Sequence, residues 1–240
     1  MYLEKRRRHQ SVLHGALILM AAAGLARIIG MVFRLPLANM IGGVGMGYFT
    51  SAYDLFMPVY AVAMAGLPVA VSRMVAENVS RRRFKDARQI LRISRRAFLI
   101  TGLTGFFIMA LAAYPYVVFT GNQNALVSIL VIAPTLLFCC IMSTYRGYYE
   151  GMRNMYPTAV SSLIEAVCKM GLGLAFAQGI LRYAASEFSA SGTVFGQPVL
   201  SDGSGASLEE LARHAALPYA AAGACAAITL GTALCAGFLL

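Results

Sequence analysis

Charge is scarce in this sequence. Only 12% of its 240 residues are Asp, Glu, Lys or Arg, about half the share usual in soluble domains, while 59% are hydrophobic. A water-soluble chain of this size has no means of hiding so much apolar surface, so a soluble domain is excluded. Motifs that carry chemistry are equally scarce. The five cysteines, Cys139, Cys140, Cys168, Cys225 and Cys235, all lie in apolar stretches and form no C-x-x-C pair. They read as small buried hydrophobes rather than as disulfide or metal ligands. His9, His14 and His214 show no ligand spacing to one another or to carboxylates. There is no nucleophile elbow, P-loop or acidic metal-binding pair. The run Gly43-Val44-Gly45-Met46-Gly47 lacks the preceding strand and the full spacing of a phosphate loop. It reads as a flexible connector between two helices. No catalytic residue, metal site or cofactor is expected, and the chain is not read as an enzyme.

What the sequence does contain is long apolar blocks. They cover residues 11–36, 48–76, 97–120, 125–145, 157–181 and 215–240, and each meets the roughly 20 residues that a membrane-crossing helix needs. The blocks are rich in Ala, Gly, Leu and Met without strict alternation, which favours helix over barrel strand. Gly121-Asn122-Gln123-Asn124 makes a tight turn between two of them. The expected fold is therefore all-α: one polytopic membrane helix bundle of about six transmembrane helices over 1–240. An outer loop spans 182–214 and is rich in Ser and Gly, as in Ser201-Asp202-Gly203-Ser204-Gly205. Ser207-Leu208-Glu209-Glu210 has capping-box spacing and reads as the start of a short helix leading into the last block.

Orientation follows from the basic residues. With the N-terminus in the cytoplasm, inner segments hold Lys5 to Arg8, Arg73, the 81–96 cluster, Arg146 and Arg153, which is fifteen of the twenty Lys and Arg. Arg34, Arg182 and Arg213 fall outside, in line with the positive-inside rule. The first block has no cleavage site of the signal-peptide kind and reads as a retained helix. The chain is placed in the cytoplasmic membrane as a multi-pass protein. The basic 81–96 loop suits anionic membrane lipid, and no nucleic acid is expected as a partner.

Polar groups at membrane depth are costly and usually face a protein interior or a watery cavity. Arg27 and Arg34 are two turns apart on one helix face, with Gly30 leaving room beside them. Arg34 also suits snorkelling to outer head groups, and Arg27 is open to both readings. The second block is longer than a bilayer requires and is interrupted at Pro58 and at Gly66-Leu67-Pro68. Breaks of that kind mark hinges or binding sites in transporters, and equally a merely bent structural helix. Asp54 precedes the first break and Arg73 follows the second. Tyr48, Tyr53 and Tyr60 suit stacking on sugars or anchoring at the interface. Glu165 and Lys169 have the order and spacing of an internal ion pair, either structural or concerned with cation or proton coupling.

Three motifs carry a family resemblance. The run Leu25-Ala26-Arg27-Ile28-Ile29-Gly30 with Arg34 and Ile41-Gly42 is the first, and the stretch Ala65-Gly66-Leu67-Pro68 to Ala76-Glu77 is the second. The third is Arg146-Gly147-Tyr148-Tyr149-Glu150-Gly151-Met152-Arg153, continuing to Ala159. Together they resemble the stage V sporulation protein B group, which is similar to the lipid II flippases and belongs with the polysaccharide and multidrug exporters of one superfamily. The resemblance implies a flippase-type transporter moving an undecaprenyl-pyrophosphate-linked oligosaccharide by alternating access, with Arg27 and Arg34 meeting the pyrophosphate in a central cavity. The flippases' basic residue in the second helix has no counterpart here, because positions 55–72 hold no Lys or Arg. The resemblance further implies two lobes, of which this chain resembles the first. It is then an N-terminal fragment, or it pairs with a second chain. A drug or cation antiporter, using Asp54 or the Glu165–Lys169 pair, and a non-transporting membrane assembly protein are the alternatives.

Overall fold

A computed structural model describes residues 12–64, 66–198 and 208–240. The basic run Lys5 to Arg8, the Ser201 to Gly205 stretch and Ser207 lie outside the described residues. The first helix, α1 (Val12–Met64), is a hairpin of two arms. A straight helix would hold Phe33 and Phe49 roughly 24 Å apart, yet their ring centroids meet edge to face at 6.4 Å. The reversal is at Gly42, whose φ of 66° and ψ of −175° lie where only glycine sits without strain. Residues 43–47, expected as a flexible connector, are instead the first turn of the second arm. Ile41 is buried, and a Cβ on Gly45 would come within 2.7 Å of its side chain, so the turn leaves no slack.

The second arm runs through Pro58 as helix and ends at Met64. Gly66, in the left-handed region at φ 76°, precedes α2 (Leu67–Ser80), which carries Pro68 in its first turn. Next comes α3 (Phe84–Thr120), whose buried Ala87, Ser94, Phe98, Gly102, Met109 and Val117 lie on one helical stripe. Residues 84–96, expected as a loop, are thus helical. The reason is that Ala87 and Phe98 continue the stripe and pack with Val71 and Val75 of α2. Lys85, Arg88, Arg92, Arg95 and Arg96 project from the other sides and are exposed.

A 3₁₀ turn leads into α4 (Leu126–Ile132) and then α5 (Thr135–Gly151), separated at Ala133 and Pro134. Pro134 has no N–H with which to continue the ladder. The Leu136 and Leu137 N–H groups bond back to the Ala133 and Pro134 carbonyls. The Thr229 hydroxyl donates to the Val131 carbonyl at 2.9 Å, and its oxygen lies 2.8 Å from that of Thr135. Freed backbone groups at membrane depth need such side-chain partners, because lipid offers none.

Helix α6 (Tyr156–Ser191) overruns the expected start of the outer loop, because Leu181, Ala184 and Phe188 extend its apolar stripe under Val194. Gly192, at φ 67°, stops it. A short antiparallel ribbon of β1 (Thr193–Val194) and β2 (Gln197–Pro198) follows, and α7 (Leu208–Leu239) returns through the bundle as one helix. The expected 182–214 loop is therefore helix at both ends. Leu37, Ile41, Phe49, Met109, Ile129 and Leu136 sit at the centre of the main core.

Among the described residues, five helical segments are long and apolar enough to cross a membrane, and the first contains the Gly42 reversal. Leu111, Phe119 and Met31 stand 82%, 91% and 72% exposed, as lipid-facing side chains of such a bundle do. The molecule is an all-α membrane bundle.

Candidate functional site

Two of the sequence motifs form one interface. Gly147 and Gly151, one turn apart on α5, face α2. A Cβ on Gly147 would come within 2.8 Å of the Pro68 carbonyl, and one on Gly151 within 2.7 Å of both the Ser72 carbonyl and Val75. Small residues spaced four apart let membrane helices approach to backbone contact. This contact fixes the depth and rotation of the preceding residue, Arg146.

Arg146 reaches into the bundle rather than toward its end. Its Nη2 lies 3.0 Å from Glu165 Oε2 of α6, and its Nε donates to Ser161 Oγ at 3.0 Å. Nη2 also approaches Cys235 Sγ of α7 at 3.8 Å, and that thiol donates to the Ser161 carbonyl. From the other side, Lys169 Nζ meets Glu165 Oε1 at 2.6 Å. The Glu165–Lys169 pair anticipated from spacing therefore exists, but as two thirds of a triad with Arg146. One carboxylate serves two cations, and the cluster carries a net charge of +1. All three side chains are mostly buried, at 14% exposure for Glu165, 20% for Arg146 and 28% for Lys169.

The first arm of α1 lies along α6. Phe33 occupies the space a Cβ on Gly173 would need. Further along, Asn39 and Met40 share a cavity of about 1000 Å³ with Leu181 and Arg182. Both contacts advance together, so the two helices run parallel in constant register. At ~1.5 Å per residue, Lys169 is then level with residue 29, between Arg27 and Arg34 in depth. Both arginines are exposed on the arm, and neither has a hydrogen-bond or ion-pair partner among the described residues. Gly30 has open space around it.

The second arm supplies an aromatic ladder of Phe49, Tyr53, Phe56 and Tyr60, with successive centroids 5.0, 6.2 and 5.6 Å apart. Tyr53 feels the charges of both Lys169 and Arg34, while Tyr60 feels those of Glu165, Arg146 and Lys169. The polar seam is thus the Arg146–Glu165–Lys169 triad, with Tyr53 and Tyr60 in its field and Arg34 within electrostatic reach of Tyr53. Tyr48 is elsewhere, its hydroxyl accepting from Asn124 Nδ2 at 3.3 Å.

Other anticipated residues lie apart from this seam. Asp54 is exposed and acts on Tyr116 of α3, on a different side of the arm. Arg73 is exposed on α2, away from the buried Val71 and Val75. Pro58 lies within continuous helix, while Gly66 and Pro68 sit where the helix stops and restarts. Sequence reading missed Arg146 as a partner of Glu165, because its place in a basic motif suggested a position at the membrane surface. The Gly147-x-x-x-Gly151 spacing was the available signal that this segment is packed.

The chain is 30% identical to the lipid II flippase MurJ of Bacillus subtilis over 168 residues, covering 66% of this chain and 31% of that protein. It is 34% identical to the stage V sporulation protein B of the same organism over 167 residues, covering 68% of this chain and 32% of that protein. An uncharacterised membrane protein, YabM, also of Bacillus subtilis, is 28% identical over 190 residues, covering 77% of this chain and 35% of that protein. The chain thus spans about a third of the length of these relatives. No solved structure matches it. The family model described as polysaccharide biosynthesis protein matches residues 12–197, and the chain belongs to that family.

Proposed function

We propose that this chain forms the first lobe of a flippase-type transporter, which moves an undecaprenyl-pyrophosphate-linked oligosaccharide across the cytoplasmic membrane by alternating access. The observation that carries the reading is the pair Arg27 and Arg34. They are two guanidinium groups on one face of a membrane arm, without a partner among the described residues, beside a triad of net positive charge. A charged side chain without a partner at that depth costs several kcal/mol unless it meets water or an anion. Guanidinium is suited to phosphate because its donor fork binds two oxygens and stays charged in a low dielectric. Names of two relatives support the cargo class, since one is a lipid II flippase and another belongs to sporulation.

A second lobe, on the same chain or another, would close the cavity over this face. The N-terminus is placed in the cytoplasm, with the basic 81–96 segment against anionic lipid. Pro58, Gly66 and Pro68 are proposed as hinge points, with Asp54 and Arg73 outside the cargo path. For a cation antiporter, a free titratable carboxylate would be needed in the seam, and Glu165 is already committed to two cations.

The test is equilibrium binding of undecaprenyl pyrophosphate to the chain in lipid nanodiscs. Arg27→Ala and Arg34→Ala should each weaken binding about tenfold, the worth of a charge-assisted hydrogen bond. Wild-type affinity in both variants would overturn the reading.

A further inference from the structure

We infer that Lys169 is a third phosphate-binding residue of this seam, held by Glu165 until the anionic head group of the cargo arrives, with Arg146 as the standing counter-ion of Glu165. This inference rests on the proposed function and adds a residue, from a different helix, to its cargo site.

The triad holds one more cation than its carboxylate needs. One carboxylate at membrane depth needs one cation, and Arg146 already satisfies Glu165 Oε2 at 3.0 Å. Arg146 is fixed by more than that bond, because its Nε is taken by Ser161 Oγ and Cys235 Sγ lies against its Nη2. Its backbone is further held by the Gly147 and Gly151 contact with α2. Lys169 has none of this support. An ammonium has three donors, and among the described residues Lys169 uses one, on Glu165 Oε1. A structural salt bridge would be neutral, whereas the triad itself carries a positive charge that burial penalises, with Glu150 of α5 in the field of Arg146. The surplus becomes intelligible when a second anion is part of the working state.

Position singles out Lys169 as the mobile member. It is level with the stretch between Arg27 and Arg34, and Arg34 and Lys169 both act on Tyr53. Its stem lies beside Gly231 of α7, where a Cβ would sit at ordinary contact distance, 3.4 Å, from Lys169 Cγ. A diphosphate carries more oxygen acceptors than two guanidinium forks use, and a compact ammonium on a four-carbon stem suits the remainder. When Lys169 turns from Glu165 to phosphate, Glu165 keeps Arg146 and no buried carboxylate is stranded.

Opposite signs in two variants test the idea. The chain is placed in nanodiscs with undecaprenyl pyrophosphate as probe, and undecaprenyl monophosphate and phosphatidylglycerol are run alongside to separate cargo from ordinary lipid. Lys169→Ala should weaken pyrophosphate binding about tenfold, and Lys169→Arg should restore most of it. Glu165→Gln should tighten binding several-fold, because Lys169 is no longer held. A purely structural pair predicts that Lys169→Ala and Glu165→Gln weaken binding and lower thermal stability together, and that outcome overturns the inference. Normal binding in Lys169→Ala with loss in Arg34→Ala also overturns it, while leaving the proposed function intact. Equal affinity for phosphatidylglycerol and undecaprenyl pyrophosphate in the wild type overturns both. Should Lys169→Ala fail to fold, Glu165→Gln decides alone: tighter binding supports the inference, and unchanged or weaker binding removes it.

Discussion

At positions 147 and 151 the side chain is a hydrogen because α2 leaves room for nothing else. Gly151→Ala should force α2 and α5 apart and destabilise the bundle by about 1–3 kcal/mol, the usual cost of overpacking. Gly171→Ala, where a Cβ meets nothing within 4 Å, is the matched control and should be near neutral. Thermal unfolding in mild detergent would measure both, and equal effects would remove the close-approach explanation. Residues of this kind were only partly legible in the sequence. The Glu165–Lys169 pair follows from helical spacing alone, since both members share one helix face. Arg146 could not be assigned in the same way, because its approach to Glu165 depends on how α5 rotates against α2, and that rotation is set by glycines whose spacing carries no direction.

At the scale of elements, hydropathy located the helices but not their ends. Apolar blocks record which residues lie within the hydrocarbon, roughly 30 Å thick. A helix does not stop at that boundary if one face still has something to pack on. Helix α3, at 37 residues, is ~55 Å long because Ala87 keeps its stripe on α2. Helix α6 similarly continues to Ser191 over Val194. The reversal in α1 was hidden for the opposite reason. Four glycines within 42–47 suggested slack, whereas Gly42 is the residue held at a positive φ. Gly42→Ala should therefore cost about 1–3 kcal/mol through backbone strain, while Gly43→Ala and Gly47→Ala, in ordinary helical geometry with open space, should not. Comparing the three melting curves distinguishes a fixed turn from a flexible linker.

For the whole molecule, the asymmetry of Lys and Arg makes an orientation testable. In intact cells, Arg88→Cys should resist a membrane-impermeant maleimide and Ala190→Cys, at an exposed helical position, should react with it, with both reacting after permeabilisation. The reverse pattern would turn the bundle over. Native Cys139, Cys140, Cys225 and Cys235 are buried and should contribute little background. The reversal at Gly42 also bears on how such a protein is made. Its two arms fold back with one residue out of helical geometry between them, so they can enter the bilayer during synthesis as a single hairpin. In the proposed orientation, Arg27 and Arg34 then travel to the outer half alongside two apolar stretches rather than one. Their cost, a few kcal/mol per charge, is then set against the apolar length of both arms together.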